Sequence, residues 1–358
     1  MNKQSNNLDF SGQNIYAGFD VHKKAWRVTI MSDNLMLKTF TQPPKPEILF
    51  QYLQKNYPGA NYHSAYEAGF CGYWIHNQLR DLGINSIVVN PADIPTTHKE
   101  KVQKEDTRDS RKIAKSLRNG DLKGIYVPSL KTLEDRGLVR MRGTIVKDIT
   151  RNKNRVKSFL NLHGIDFPAC FEKSGTHWSN RFFDWLLEIE MTESTGKETL
   201  QMLTLTTKHL RETLKQITHQ IKTLSRTPLY AENIKLLMSI PGIGLITAME
   251  MMTEIETISR FKNNDHFCSF IGLIPSTHST GDNEGVGDIT PRGNSFLRPL
   301  LIESAWVAAR HDPALTKCHY AYCKRMESNR SIIRIAKKLA NRIQYVLKNK
   351  KPYECSIN

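Results

Sequence analysis

The sequence predicts an α/β domain at the N-terminus, a helical or coiled-coil middle and a mostly helical C-terminal domain. Residues 15–89 contain five short strand-type patterns and two helical ones. Residues 134–162 and 200–224 instead have the spacing of long helices, and residues 331–348 form a basic amphipathic helix. A chain of 358 residues is long enough for two or three domains. The predicted domains are residues 1–130, 131–230 and 231–358.

The first three predicted strands follow one another directly. Residues 15–21 are a short apolar run that carries one acid, Asp20. Residues 25–31 and 35–41 alternate between apolar and polar side chains, and the polar residues 32–34 form the turn between them. This pattern predicts a meander of three strands.

Helices and strands alternate through the rest of the N-terminal domain. Their predicted bounds are residues 45–56 (helix), 62–66 (strand), 73–82 (helix), 85–89 (strand) and about 107–119 (helix). A three-stranded meander followed by helix, strand, helix, strand and helix is the element order of the RNase H fold. The sequence therefore predicts an RNase-H-like α/β domain.

The charge of the chain indicates a polyanionic partner. The sequence has 51 Lys and Arg against 35 Asp and Glu, a net charge of +16. The surplus is clustered, with seven basic residues and one acid over residues 140–157 and twelve basic residues and two acids over residues 310–351. Each phosphate that a basic side chain neutralises releases counterions, which favours binding. We interpret the clusters as nucleic-acid contacts; the alternative is that they only improve solubility.

The same composition argues against a membrane protein. The longest apolar runs are short and interrupted by charges, so no transmembrane helix is predicted. The first ten residues are polar and contain no apolar signal region. We therefore expect a soluble, cytoplasmic protein.

Four acids of the N-terminal domain form a candidate metal site: Asp20, Glu67, Asp106 and Asp109. Asp20 lies inside an apolar strand, where an ionised side chain is costly unless it is paired or bound to a cation. Glu67 ends the fourth strand, which is the neighbour of the first in an RNase H fold. Asp106 and Asp109 are three residues apart at a helix start and share one face. Such an oxygen-rich set suits one or two Mg²⁺ or Mn²⁺ ions that act on a phosphodiester.

Other interpretations of these residues stay open. Asp106 and Asp109 could simply oppose the helix dipole, and Glu67 could be a solvated strand end. Three basic residues surround the last pair of acids and could bind DNA phosphates or only balance charge: Lys104, Arg108 and Arg111.

Residues 200–224 carry apolar side chains at steps of three and four. This heptad seam, with one polar position at Thr207, predicts a helical hairpin or an intermolecular coiled coil. An ordinary bundle helix packed inside its own chain is the alternative. We expect at least a dimer, built partly through this seam.

A glycine-containing turn at residues 239–244 precedes a predicted helix at about residues 245–255. Glycines here let a backbone approach phosphates at a helix start, as in a helix-hairpin-helix DNA-binding motif. A tight turn between two packed helices has the same sequence pattern, so both interpretations remain.

Several of these motifs, taken in order, resemble the DEDD transposases of insertion sequences, the IS110 family. The resemblance extends over nearly the whole chain. In the first half it rests on residues 18–23, 66–69, 89–91 and 104–114; in the second half it rests on residues 240–244, 270–275, 279–281, 289–294 and 297–298.

The resemblance implies an activity and partners. It implies an N-terminal domain like the Holliday-junction resolvase RuvC, in which Asp20, Glu67, Asp106 and Asp109 bind Mg²⁺, and a second domain with a serine nucleophile that becomes covalently linked to DNA. It also implies a structured guide RNA that pairs with donor and target DNA. The assembly would be a dimer or tetramer in a prokaryotic nucleoid.

The position of the nucleophile is ambiguous. Counting forward from residues 272–275 places the family serine on Thr280, whereas counting back from residues 292–294 places it on Ser279. Serine is the less crowded alcohol, so we favour Ser279. We also expect Arg292 and Arg298 to contact phosphates and His278 to assist proton transfer.

Two rival functions remain. One is a metal-dependent junction endonuclease that hydrolyses DNA without a covalent intermediate. The other is a non-catalytic nucleic-acid scaffold derived from a transposase, which the presence of all four acids disfavours. We expect the hydroxyl and carboxylate sites to act as one centre, assembled between protomers.

Overall fold

A computed structural model describes residues 9–95, 106–280 and 283–355, without the side chains of residues 106, 107, 277–286 and 288. The chain divides into two compact units, one ending at Val127 and one beginning at Pro128. The predicted boundary after residue 130 lies next to this division, whereas the one after residue 230 lies inside the second unit. Within the described ranges, no helix combines the length and apolar character needed to cross a bilayer.

The first unit is built on a five-stranded mixed sheet with the order β3-β2-β1-β4-β5. β1 pairs antiparallel with β2, and β2 with β3; β1 pairs parallel with β4, and β4 with β5. The strands are β1 (Asn14–Val21), β2 (Trp26–Ser32), β3 (Met36–Gln42), β4 (Asn61–Glu67) and β5 (Asn85–Val89). The predicted strands and the predicted α/β class are therefore confirmed.

Helices cover both faces of this sheet. They are α1 (Pro46–Asn56), α2 (Trp74–Asp81) and α3 (Asp106–Arg118). One face packs a core in which the rings of Trp26 and Tyr66 each stack on Phe19 with centroids 5.3 Å apart. The opposite face packs a smaller core, where Ala65 and Val89 of the sheet meet Ile113 of α3. Side chains alternate between these cores because successive strand residues point to opposite faces.

The second unit is mostly helical, as predicted. Its helices are α4 (Leu130–Leu162), α5 (Asn180–Glu188), α6 (Ser194–Leu224), α7 (Ala231–Met238), α8 (Leu245–Ile255), α9 (Asn264–Ile271), α10 (Leu297–His311), α11 (Pro313–Cys323) and α12 (Ser328–Asn349). A two-stranded antiparallel sheet, β6 (Pro275–Thr280) and β7 (Asn283–Ile289), lies between α9 and α10 in the chain.

Helices α4 and α6 form an antiparallel hairpin within the chain. The amide of Asn152 donates to the Leu203 carbonyl at 2.8 Å and to the Thr207 hydroxyl at 2.7 Å. Ten residues earlier on α4, Arg142 Nε donates to the Thr218 hydroxyl at 3.2 Å. Thr207, the polar position of the predicted seam, is therefore matched by a buried polar partner of the same chain.

The heptad seam of α6 packs inside the chain, and an intermolecular coiled coil through it stays a prediction. The seam residues Leu200, Ile217 and Ile221 are buried inside the second unit. Because an apolar side chain can be covered only once, a dimer through these positions would require the hairpin to open. Of the three arrangements that the heptad spacing left open, the structure shows the internal hairpin.

The glycine turn before α8 packs tightly against α10. Gly242 has a φ of +88°, and a Cβ atom there would lie 3.1 Å from the backbone nitrogen of Ala308 and closer still to the Ser304 carbonyl. The glycine is needed because two backbones meet at this point. Packing of a tight turn thus accounts for Gly242, whereas a Cβ atom on Gly244, at the start of α8, would meet nothing within 4 Å.

Candidate active site

Asp20 and Glu67 are brought together by the register of two parallel strands. Phe19 of β1 pairs with Tyr66 of β4, so the residues that follow them, Asp20 and Glu67, are next to each other at the ends of adjacent strands. Two residues before Asp20 and Glu67 on their strands, Gly18 pairs with Ala65. Since Ala65 belongs to the core under α3, strand alternation directs Asp20 and Glu67 to the α3 face of the sheet.

Helix α3 lies directly on this face. A Cβ atom on Gly18 would lie 2.7 Å from the Ser110 carbonyl oxygen and 2.6 Å from Ala114 Cα, so the helix backbone approaches β1 without a side chain between them. Beside this contact, the buried hydroxyls of Thr29 and Ser110 are 3.0 Å apart. Glycine at position 18 is therefore required by the close approach of helix and strand.

The direction of α3 places its first turn at the carboxylate end of the sheet. Ser110 and Ala114 lie over Gly18, and Arg118, one turn later, acts electrostatically on Tyr16, nearer the start of β1. The helix therefore runs opposite to β1, and its first residues extend toward Asp20. Asp106 begins α3, its side chain lies outside the described part, and Asp109 follows three residues later. We call Asp20, Glu67 and the first turn of α3 the carboxylate edge.

The described acids of this edge have neighbours with positive or titratable groups. Asp20 Oδ2 is 3.6 Å from His22 Nδ1, and Asp109 Oδ1 is 4.0 Å from Lys112 Nζ. Both carboxylates are about three-quarters buried, with 25% and 26% of the side chain exposed. Among the described side chains, no three His, Cys, Asp or Glu residues form a cluster that could hold a metal. The donor chemistry of Asp20, Glu67 and Asp109 nevertheless fits a divalent cation, because carboxylate oxygens are ligands that Mg²⁺ and Mn²⁺ prefer.

Ser279 and Thr280 lie at the far end of β6, next to the connection with β7. Ser279 pairs with Glu284 and Thr280 with Asn283; their side chains and that of His278 lie outside the described part. We call β6 and β7 the hydroxyl hairpin. The sequence analysis assigned no strands here, because glycines interrupt the alternation in residues 283–289.

The base of the hydroxyl hairpin is held by Arg298. Its Nη2 donates to the carbonyl oxygens of Thr290 and Arg292, at 2.8 and 2.7 Å. Gly272 has a φ of +86°, and a Cβ atom there would meet the Arg298 guanidinium and lie 2.7 Å from the Arg292 carbonyl. A Cβ on Gly293 would lie 2.5 Å from Gly272 Cα. We call residues 290–298 the anchor segment, because this packing fixes where β7 ends.

A buried carboxylate connects the anchor segment to α4. Glu254, only 4% exposed, accepts from Arg140 Nε at 2.7 Å and Nη2 at 2.9 Å. The same carboxylate accepts from the Asn294 amide at 2.9 Å. The Arg140 guanidinium in turn lies 4.0 Å from the Phe296 ring centroid. Sequence reasoning missed Glu254 because the residues that donate hydrogen bonds to it lie 40 and 114 residues away in the chain; an acid within an apolar helix was the only signal.

Two family models match the chain, in the order of the two sites. A DEDD transposase model of the IS110 type matches residues 17–165, which include the carboxylate edge. A second model, described as the transposase IS116/IS110/IS902 family, matches residues 234–321, which include the hydroxyl hairpin and the anchor segment. The chain belongs to the IS110 family of transposases. Members of this family are enzymes that cleave and rejoin DNA.

Curated relatives carry the same kind of name. A putative transposase, y4qE, of Sinorhizobium fredii is 31% identical over 70% of this chain, which spans 60% of that relative. The transposase of the element IS1111A of Coxiella burnetii is 25% identical over 80% of this chain and 78% of its own length. The transposase of IS1533 of Leptospira borgpetersenii is 23% identical over 94% of this chain and 97% of its own length.

The basic residues predicted to contact phosphates differ in exposure and in their contacts within the chain. Arg108 and Arg111 are exposed on α3 of this transposase, and Arg292 is exposed in the anchor segment; Lys104 lies outside the described residues. Arg298 is half-buried and its Nη2 atom already binds two backbone carbonyls. Arg298 therefore holds the backbone of the anchor segment, a contact that the sequence analysis did not predict.

Proposed function

We propose that this transposase cuts and rejoins the DNA strands of its insertion sequence with a hydroxyl nucleophile and a metal-binding carboxylate set. Asp20, Glu67, Asp106 and Asp109 would hold Mg²⁺ or Mn²⁺, and Ser279 would be the nucleophile, with Thr280 as the alternative. The observation that carries the proposal is the register of β1 and β4, which puts Asp20 beside Glu67 under the start of α3. The strand order β3-β2-β1-β4-β5 supports an RNase-H-like, RuvC-like domain.

The reaction must conserve the energy of the phosphodiester, since strands are rejoined without an external energy source. The serine oxygen would attack phosphorus, so that a serine–phosphate ester forms while the bond to the departing strand breaks and that strand leaves as a hydroxyl after taking up a proton. Attack by a strand-end hydroxyl on the ester would then restore the phosphodiester and free the serine. A bound divalent ion would stabilise the charge that develops on the phosphate.

The chain's own residues supply activation and placement. A neutral alcohol is a poor nucleophile and needs a base or a nearby cation. The carboxylates of the first unit would provide this base or hold this cation, and they would act on the same phosphodiester that the hydroxyl hairpin attacks. Arg298 and Glu254 hold the base of the hairpin through the anchor segment.

A structured guide RNA is the proposed source of sequence choice. The net charge of +16 and the two basic clusters support a polyanion of some length. Sequencing the nucleic acid that copurifies with the protein tests this: one recurrent RNA encoded beside the transposase gene supports guidance. Purification of an active transposase with no RNA would refute it.

A homo-oligomer is proposed on a surface other than the buried seam. Met202 and Leu205 of α6 stay 68% and 52% exposed after α4 and α6 have packed. Light scattering on the full chain, with and without nucleic acid, should give at least a dimer. A monomer under both conditions would refute the oligomer.

The activity is tested on a plasmid that carries the transposase gene with its flanking DNA. Wild-type protein should yield rejoined DNA junctions with either Mg²⁺ or Mn²⁺, and Ser279→Ala should yield none, while Thr280→Val keeps part of the activity. If the wild-type protein produces only nicked or broken DNA, the junction endonuclease without a covalent step is the better description.

A further inference from the structure

A groove of about 960 Å³ lies between α12 and the base of the hydroxyl hairpin. The hairpin contributes Pro275 and Ile289 to its wall, and α12 contributes four cations: Arg330, Arg334, Lys337 and Lys338. Among the described residues that line it, none is an Asp or Glu. The groove is therefore strongly cationic on one wall and apolar on the other.

The four cations lie on one face of one helix. They occupy positions i, i+4, i+7 and i+8, which are neighbours on a helix surface. From Arg330 to Lys338 the helix rises about 12 Å, so the charges form a row rather than a point. A row of cations fits a ligand with repeating negative charges, whereas a single phosphate or carboxylate would use one or two of them.

Two of the four cations make contacts within the chain that a polyanionic ligand could join or replace. Lys337 Nζ pairs with Asp265 at the rim, 3.2 Å away, and both side chains are substantially exposed. The Arg334 guanidinium lies 5.5 Å from the Tyr322 ring centroid. An exposed ion pair contributes little, so a phosphate could replace Asp265 at small cost. The Arg334–Tyr322 pair adds a planar group on which a nucleobase could stack.

The groove and the candidate nucleophile are connected by strand β6. Pro275 lines the groove, and Ser279 lies four residues further along the same strand. Four residues of β-strand span about 13 Å. A nucleic-acid strand that extends from a phosphate at Ser279 toward the hairpin base would reach the row of cations.

We propose that this groove binds a single-stranded nucleic-acid segment, with phosphates on the α12 cations and a base near Tyr322 and Arg334. A single strand is favoured over a duplex because one row of charges faces an apolar wall, which suits unpaired bases. That the bound strand is the one next to the reacting phosphate rests on the proposed function. Binding of a single strand in the groove does not depend on catalysis.

The test compares two double variants that lose the same charge. Arg334→Gln/Lys338→Gln removes two groove cations, and Lys173→Gln/Arg181→Gln removes two exposed cations of the same unit outside the groove lining and outside both basic clusters. Fluorescence anisotropy would follow binding of labelled single-stranded DNA, single-stranded RNA and duplex DNA of equal length, with EDTA present and over a series of salt concentrations. Circular dichroism melting of each variant confirms that the fold is kept.

The groove variant should bind single strands about tenfold more weakly at physiological salt, and the slope of log K against log salt should fall by about 1.4. The control should lose clearly less, and the duplex should be affected least. A greater loss for RNA than for DNA would identify the guide as the occupant, and the reverse the DNA strand. Equal losses for both variants would overturn the proposal. Because EDTA removes divalent ions, this outcome is independent of the carboxylate chemistry.

Discussion

The carboxylate edge and the hydroxyl hairpin are positioned by different kinds of interaction. At the carboxylate edge, backbone pairing of β1 with β4 and the approach of α3 to Gly18 set the positions of the acids. At the hydroxyl hairpin, a two-stranded sheet is held at its base by side chains, above all Arg298 and Glu254. The first site depends on a five-stranded sheet, and the second on a few long-range contacts.

This difference affects how each site should respond to substitution. A side chain at the carboxylate edge can be changed without disturbing the sheet, because strand pairing does not involve it. A change at the anchor segment alters the position of the hairpin before it alters any chemistry. The first site should therefore lose activity with its fold intact, and the second should lose stability and activity together.

The largest expected effect is at Asp20. Asp20→Asn keeps the size of the side chain but removes the charge, so strand cleavage should fall about 100-fold or more while the melting temperature stays within about 2 °C of wild type. Asp81→Asn, an exposed acid on α2, is the matched control and should retain full cleavage. Cleavage by Asp20→Asn at the wild-type rate would remove this residue from the active site.

A substitution at Gly272 tests the anchor segment. Gly272→Ala combines a positive φ with a clash against Arg298 and the Arg292 carbonyl, and should destabilise the second unit by about 2–4 kcal/mol. Gly164→Ala also has a positive φ, +64°, but open space around it, and should cost about 1 kcal/mol. Chemical denaturation measures both. Equal losses would show that the contact with Arg298 contributes nothing.

Arg298→Lys separates a positioning role from phosphate binding. Loss of the two carbonyl hydrogen bonds should lower the single-turnover cleavage rate about tenfold and leave the dissociation constant for DNA unchanged. Arg292→Lys, at an exposed position of the same segment, should leave the rate nearly unchanged. The opposite pattern for Arg298→Lys, weaker DNA binding with a normal rate, would restore its predicted role as a phosphate ligand.

The smallest expected effect concerns Glu250 on α8. Burial raises the pKa of this carboxyl, with Glu254 adding to the effect and Arg142 opposing it. An acid with a raised pKa in the folded state stabilises the fold below its unfolded pKa and loses that contribution as pH rises through the folded pKa.

Glu250→Gln should therefore raise the melting temperature by about 1–2 °C at pH 8, with a smaller difference at pH 5. Glu303→Gln, an exposed acid on α10, should show no such dependence. A difference that grows toward low pH would contradict the direction of the shift.

Much of the carboxylate edge could be predicted from sequence because its determinants are local. Strand alternation, the acid inside residues 15–21 and the i, i+3 pair at the start of α3 each occupy a short window. Pairing of the first and fourth strands then followed from their order. The close approach of α3 to Gly18 was not foreseen, since nothing in the sequence near Gly18 identifies Ser110 as its neighbour.

The hydroxyl hairpin could not be predicted in the same way. Its strands are short and contain glycines, and its anchor depends on Arg140 and Glu254, which are 114 residues apart. The heptad seam was ambiguous for a related reason. Apolar spacing shows that α6 packs against a helix, but only the match of Asn152 with Thr207 shows that this helix is α4 of the same chain.

Trapping the transposase on a suicide DNA substrate tests whether a serine–phosphate ester forms during strand cleavage. A substrate nicked next to the cleavage site loses the departing strand, so a covalent protein–DNA ester would accumulate and could be digested and mapped by mass spectrometry. We predict an adduct on the peptide that contains Ser279, with none formed by Ser279→Ala or Asp20→Asn; attachment at Thr280 would correct the register by one residue. A preparation that cleaves this substrate but releases only free DNA ends would show that cleavage proceeds without a serine–phosphate ester.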